Sequence, residues 1–235
     1  MAKYWWGSDD VFPMPLLMVA IFAGGMVMGA TVSATTPSGP AIATGASLAS
    51  VKMTVIATVC YYFVYYQAIG AQVNVKMALG NRTEAAAHVA ERTVVNTLEQ
   101  MPLFLLLMWL FTLYCDANVG GALSLLYAAY TQLYQFAYAS YGHFTINCEF
   151  CTQPRYAILT AWALELLFAA NGASYLALLP ANALLLGIAF SVQELLWQLF
   201  GWALPFALPV AILNNRANLP PPNLPAAAKD ATKGE

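Results

Sequence analysis

The chain has 235 residues, of which 60% are hydrophobic and only 9% are charged. This composition leaves too few polar side chains to cover a water-soluble globule of this size, so it excludes an ordinary soluble domain and favours a protein that has lipid as its solvent. The formal net charge is −2 and the basic residues are scattered. We therefore expect membrane lipids as partners and no nucleic acid.

Six apolar stretches follow one another along the chain. A helix needs roughly 20 apolar residues to cross a hydrocarbon core, whereas the strands of membrane barrels are about ten residues of alternating polarity. The stretches here are longer and unbroken, which predicts an all-α, multi-pass transmembrane helix bundle. The predicted spans are residues 11–34, 49–73, 89–114, 122–141, 156–179 and 183–213, followed by a flexible tail at 214–235.

The basic residues indicate how the spans are oriented. Six crossings put both termini and the loops at 77–84 and 142–154 on one side, while Lys52 alone lies near the other face. Cytoplasmic loops are usually enriched in Lys and Arg, so the crowded side is predicted to be the cytoplasmic, matrix or stromal one. We expect a protein integral to an endomembrane or an organelle inner membrane. The residues on the crowded side are Lys3, Lys76, Arg82, Arg155, Arg216, Lys229 and Lys233.

The third span carries a polar stripe formed by Arg92, Asn96 and Glu99. These residues follow at i, i+4 and i+7, so a helix places them on one face. Ionisable groups inside a span are costly and mark a functional or polar-lined site. Because Arg92 and Glu99 lie about 10 Å apart along the axis, we expect each to have a separate partner. Either a ligand with an ammonium and a carboxylate, or neighbouring helices or subunits, could supply those partners.

The fourth span adds a stripe of phenols at Tyr127, Tyr134, Tyr138 and Tyr141. Taken alone, such a stripe is explained by packing, with each hydroxyl bonded to a nearby carbonyl. Together with the polar stripe of the third span, it predicts a pocket for a polar ligand.

The two stripes together resemble a known signature. Arg92-x3-Asn96-x2-Glu99-x2-Pro102-x-Phe104, followed by Tyr134-x3-Tyr138, is similar to the pattern of the MAPEG family of membrane-associated proteins in eicosanoid and glutathione metabolism, which includes microsomal glutathione transferases. The resemblance covers residues 49–179 and implies a four-helix subunit, assembly as a homotrimer and glutathione as the cofactor. It further implies that Arg155 stabilises the glutathione thiolate as the catalytic residue. The residues that it implies bind glutathione are Lys76, Arg92, Asn96, Glu99, Tyr134 and Tyr138.

The resemblance also suggests how the chain divides. Residues 49–179 would form a MAPEG-like four-helix domain, with an extra N-terminal helix and linker at 1–48 and an extra C-terminal hydrophobic helix at 180–213. Thr131 stands where many members of the family carry an arginine, and the loop at 142–154 is longer than the family's. Two hypotheses follow: a glutathione-dependent transferase or peroxidase acting on a lipophilic substrate, or a non-catalytic structural or lipid-binding subunit of a larger membrane complex.

Other polar residues have less specific interpretations. His143, Cys148 and Cys151 could bind zinc or cycle as a dithiol, but one Cys-x2-Cys pair is a weak signal, and we predict free or disulfide-linked cysteines and no metal site. Glu165 and Glu194 lie deep in the fifth and sixth spans. We expect them to face the bundle and to bond to Asn171, Gln193, Gln198 or a neighbouring subunit; ion sites of a transporter are the alternative.

Overall fold

The computed structural model describes residues 14–77 and 83–203, and this part of the chain is a bundle of six α-helices without a strand. Two short 3-10 helices, Ala41–Thr44 and Leu176–Leu178, lie in connections. The all-α prediction is confirmed. Four of the helices are long and apolar enough to cross a membrane: α1, α2, α3 and α6. The helices are α1 Met14–Ala34, α2 Lys52–Met77, α3 Glu84–Tyr114, α4 Ala117–Tyr141, α5 Ile146–Ala169 and α6 Ala183–Ala203.

The predicted start of the fifth span was wrong by about three turns. Helix α5 begins at Ile146, so most of the segment predicted as a polar loop is helical, and the helix ends at Ala169 rather than at residue 179. The polar side chains of the first turns face the protein: Glu149 is 2% exposed and accepts a 2.6 Å hydrogen bond from Gln153. The polar residues at the start of α5 are therefore buried and hydrogen-bonded rather than exposed in a loop, because polar groups with partners inside the bundle need no contact with water.

The predicted ends of the first and sixth spans lie partly outside the described residues, at 11–13 and 204–213, as does the tail at 214–235. The division into domains stays a prediction.

Helices α2, α3, α4 and α5 pack around a common core, and α1 packs against α5. Aromatic rings form the centre of that core. The rings of Phe104 on α3 and Tyr127 on α4 stack with centroids 4.1 Å apart, and Tyr61 on α2 and Trp162 on α5 flank Phe104 at 4.5 and 6.1 Å. One aromatic layer therefore joins all four helices.

Helix α6 approaches α1 through small residues. A Cβ added at Gly29 would lie 2.5 Å from the backbone nitrogen of Gly187, and a Cβ at Gly187 would lie 2.7 Å from the sulfur of Met26. Gly25 faces the side chain of Ser191 one turn away. Close backbone contact of this kind holds helices together where lipid removes the hydrophobic driving force between them.

Asp116 fixes the end of the bundle at which α3 turns into α4. Its Oδ1 accepts a 2.8 Å hydrogen bond from the amide of Val119 and so caps α4. Its Oδ2 accepts 2.7 Å hydrogen bonds from the amides of Ser38 and Gly39, in the connection between α1 and α2. One carboxylate therefore ties two connections together.

Candidate functional site

Arg155 is a charged residue that is buried inside the helix bundle. It lies in the middle of α5 and is 1% exposed. Its guanidinium carbon lies 4.8 Å from the ring centroid of Tyr134 and 5.9 Å from that of Tyr127, both on α4. Nη2 donates a 3.4 Å hydrogen bond to Thr152 one turn earlier, whereas Nε and Nη1 are buried and have no acceptor.

Two unsatisfied donors on one buried cation are costly. A guanidinium has five N–H groups, and an unmade hydrogen bond to a buried polar group costs about 1 to 3 kcal/mol, with more for a charged group. The rings of Tyr134 and Tyr127 offset part of this cost through cation–π attraction, but they accept no conventional hydrogen bond. The arrangement is therefore suited to an anion with two oxygens, or to a thiolate, beside Nε and Nη1.

Helix α3 brings further polar atoms towards this region. The Oδ1 atom of Asn96 is buried without a partner, and Gln100 accepts a 3.5 Å hydrogen bond from the hydroxyl of Tyr127. The structure thus brings Gln100 of α3 and Arg155 of α5 to opposite parts of the same residue, Tyr127 of α4.

The predicted separation of Arg92 and Glu99 was wrong. Their side chains form a direct ion pair, with Arg92 Nη1 3.5 Å from Glu99 Oε1. The rise of seven residues along the axis is about 10 Å, but a long arginine and a glutamate that lean towards each other close this distance. The side chains are 43% and 53% exposed, so the pair lies on the surface of α3.

The other predicted binding residues lie in different surroundings. Tyr138 is 9% exposed and stacks on Tyr134 with centroids 5.9 Å apart. Lys76 lies in the last turn of α2 with an exposed side chain, outside the buried cluster around Arg155.

The cysteines beside this cluster are free. Cys148 and Cys151 are buried and pack with Tyr134 and Tyr138. The ring nitrogen Nδ1 of His143 lies 2.9 Å from the carbonyl oxygen of Tyr141. Within the described ranges, no group of three or more His, Cys, Asp or Glu residues is placed to hold a metal ion.

The two deep glutamates are buried as predicted, and the partners of Glu165 differ from those expected. Glu165 accepts hydrogen bonds from the hydroxyl of Ser174 at 2.8 Å and from the amide of Leu176 at 2.7 Å, and it so anchors the connection after α5. Glu194 accepts a 3.2 Å hydrogen bond from Thr160. Glu165 therefore stabilises the connection that follows α5.

Sequence analysis missed a second feature, a cleft of about 300 Å³ between α2, α3 and α4. The small side chains of alanines on all three helices keep this cleft open. The side-chain nitrogen of Gln132 is buried beside it without an acceptor. The alanines clustered near residues 68, 86 and 139 were the available signal, but alanine is also common in helices that simply pack closely.

Comparison with known protein families, with curated proteins and with solved structures found no match for this chain. The similarity to the MAPEG signature thus rests on the residues themselves.

Proposed function

We propose that this integral membrane protein binds glutathione at Arg155 and uses its thiol on a lipophilic electrophile. The observation that carries the proposal is the buried guanidinium of Arg155, whose Nε and Nη1 have no acceptor. A ligand thiolate beside these donors would gain the charge-assisted hydrogen bonds that the protein does not supply. The resemblance of the Arg92 and Tyr134 segments to the MAPEG signature supports glutathione as the source of that thiolate.

The chemistry follows from the charge of Arg155. A cation beside a thiol favours the thiolate, which is the nucleophilic form. The thiol proton passes to solvent, the sulfur forms a bond to the electrophilic carbon, and the leaving group departs with its bonding electrons. Arg155 keeps its proton throughout and acts as an electrostatic stabiliser of the sulfur.

The Arg92–Glu99 ion pair is compatible with such a ligand. An ion pair at this exposure contributes about 0.2 to 1 kcal/mol, so opening it costs little. Glutathione carries an ammonium and two carboxylates, and it could exchange Arg92 and Glu99 as partners for its own groups. The unpaired Oδ1 of Asn96, one turn from each, would accept an N–H of the ligand.

Titration calorimetry of the detergent-purified protein with glutathione tests binding, and a conjugation assay with a generic electrophile tests turnover. Arg155→Ala should abolish conjugation, while Arg155→Lys should retain part of it because the charge is kept. Glutathione binding to Arg155→Ala with unchanged turnover would refute the role of Arg155.

A second candidate is a non-catalytic subunit of a larger membrane complex. Two observations favour it: the side chain of Arg155 is 1% exposed, so a ligand must displace packed side chains, and Arg92 and Glu99 already satisfy each other. In this case the protein neither binds glutathione nor conjugates it, and it purifies from its native membrane with other subunits. The family resemblance implies a homotrimer instead. Crosslinking in the membrane would distinguish a homotrimer from a complex with other subunits.

A further inference from the structure

The cleft between α2, α3 and α4 differs from the surroundings of Arg155 in its chemistry. Its walls are mainly apolar and no charged residue lines it. Helix α4 contributes Gln132, Gln135, Phe136 and Ala139 to the cleft, whereas its residues Tyr127 and Tyr134 lie against Arg155. The cleft is therefore a site of its own.

Two glutamines of α4, Gln132 and Gln135, line the cleft, and only Gln135 has partners for its side-chain nitrogen. The side-chain nitrogen of Gln135 donates hydrogen bonds to the carbonyl of Val64 and the hydroxyl of Thr97, both at 3.1 Å, which joins α4 to α2 and α3. Gln132 lies one turn away on the same face, and its side-chain nitrogen is buried with no partner. An amide N–H that faces an apolar space needs an acceptor oxygen from an occupant of that space.

The position of Gln132 along α4 determines where that occupant is bonded. Gly121 packs against Met53 and Thr54 near the start of α2, and Gln132 lies eleven residues further along α4, or about 16 Å. Gln132 also lies nine residues, or about 14 Å, before the end of α4 at Tyr141. An occupant that bonds to Gln132 therefore places its carbonyl group more than two turns from either end of α4.

We propose that the α2–α3–α4 cleft binds an uncharged lipophile whose carbonyl oxygen accepts a hydrogen bond from the side-chain amide of Gln132. The occupant is uncharged because no ion lines the cleft, and it is small because the volume is about 300 Å³, at the lower end for small-molecule sites. It reaches the site from the hydrocarbon, where its carbonyl has no competing donors. The hydrogen bond therefore adds directly to its preference for the cleft.

Three photoreactive probes test this proposal in nanodiscs that contain the full chain. Two are alkyl diazirines of equal length, one with a mid-chain ketone and the other with a methylene at that position. The third is a phosphatidylcholine with the same diazirine on its acyl chain. Labelled residues are identified by peptide mass spectrometry.

The ketone probe should label the cleft helices about tenfold more than the methylene probe, since one hydrogen bond to a buried donor is worth roughly a factor of ten in affinity. Gln132→Leu should abolish this preference, and the variant should still fold because it removes an unsatisfied donor. Ala139→Phe fills the cleft and should remove labelling by both alkyl probes. Ala129→Phe is the matched control, because Ala129 is also an exposed alanine of α4 but does not line the cleft.

Equal labelling by the ketone and methylene probes would overturn the proposal, as would a ketone preference that survives Gln132→Leu. Labelling by the phosphatidylcholine probe that matches the ketone probe would assign the cleft to bulk lipid instead. None of these readouts involves a thiol ligand or Arg155, so they are independent of the proposed glutathione site.

Discussion

The guanidinium of Arg155 lies over the ring of Tyr134, with 4.8 Å between the guanidinium carbon and the ring centroid. A cation held by an aromatic face inside a helix bundle is stabilised in part, yet its Nε and Nη1 donors remain unsatisfied. Replacing a buried ion pair by apolar residues of similar volume is often neutral or stabilising by about 1 to 4 kcal/mol, and the buried charge of Arg155 bears the same kind of desolvation cost. Removing the charge of Arg155 should therefore spare the stability of the protein while it removes the contact with an anionic ligand.

Arg155→Met should leave the thermal stability of the detergent-purified protein unchanged or raised, while glutathione binding measured by calorimetry is lost. A methionine fills much of the same space without a charge to desolvate. A strong loss of stability would instead mean that Arg155 stabilises the bundle through its contacts with Tyr127 and Tyr134. Arg155→Lys serves as the comparison, because it keeps a positive charge at this position.

The Arg92–Glu99 pair should matter little for stability. Arg92→Gln and Glu99→Gln are each expected to change the free energy of unfolding by less than about 1 kcal/mol, because the side chains are 43% and 53% exposed. If the pair exchanges partners with a zwitterionic ligand, both variants should weaken glutathione binding, and added salt should weaken it in the unmodified protein. Unchanged affinity in both variants would remove these residues from the site.

The contact between α1 and α6 can be tested with a pair of glycines. Gly29→Ala should lower the midpoint of thermal unfolding, because its Cβ would lie 2.5 Å from the backbone of Gly187 and the helices must separate; overpacking of this kind costs about 1 to 3 kcal/mol. Gly70→Ala is the matched control. Nothing lies within 4 Å of a Cβ at Gly70 in α2, so this change should stabilise by about 0.5 to 1 kcal/mol through helix propensity. Equal effects of the two substitutions would show that α1 and α6 do not depend on this contact.

Within residues 14–77 and 83–203, the sequence was sufficient to predict six helices and their order. Only four of the six predicted spans, those of α1, α2, α3 and α6, are long and apolar enough to cross a membrane. The sequence was not sufficient for the start of α5, since Glu149, Thr152 and Gln153 look like loop residues until their buried partners are known. The proximity of Tyr134 and Arg155 was expected from the family resemblance. The ion pair of Arg92 was not, because helix rise alone ignores the reach of long side chains.

The cleft beside Gln132 could not be predicted from the sequence either. Whether an alanine-rich face closes against its neighbour or leaves a gap depends on how far apart three helix axes lie, and this distance is set by larger residues elsewhere, such as Phe104 and Tyr127. No local pattern in the sequence encodes that spacing.

The thiol of Cys115, in the turn between α3 and α4, should react slowly at neutral pH. Burial and, to a smaller extent, the nearby carboxylates of Glu165 and Asp116 together raise its pKa to about 12 by disfavouring the negative charge of the thiolate. At pH 8, only about one molecule in ten thousand then carries the thiolate, which is the form that reacts with maleimide. Labelling followed by peptide mass spectrometry should therefore show little modification of Cys115 at pH 8 and a rate that rises about tenfold per pH unit up to pH 11. Glu165→Gln should accelerate the reaction by lowering the pKa, and the same peptide in the detergent-denatured protein provides the rate of an ordinary thiol. Rapid labelling of the folded protein at pH 8 would show that Cys115 is solvated and that the turn does not hold it against the two carboxylates.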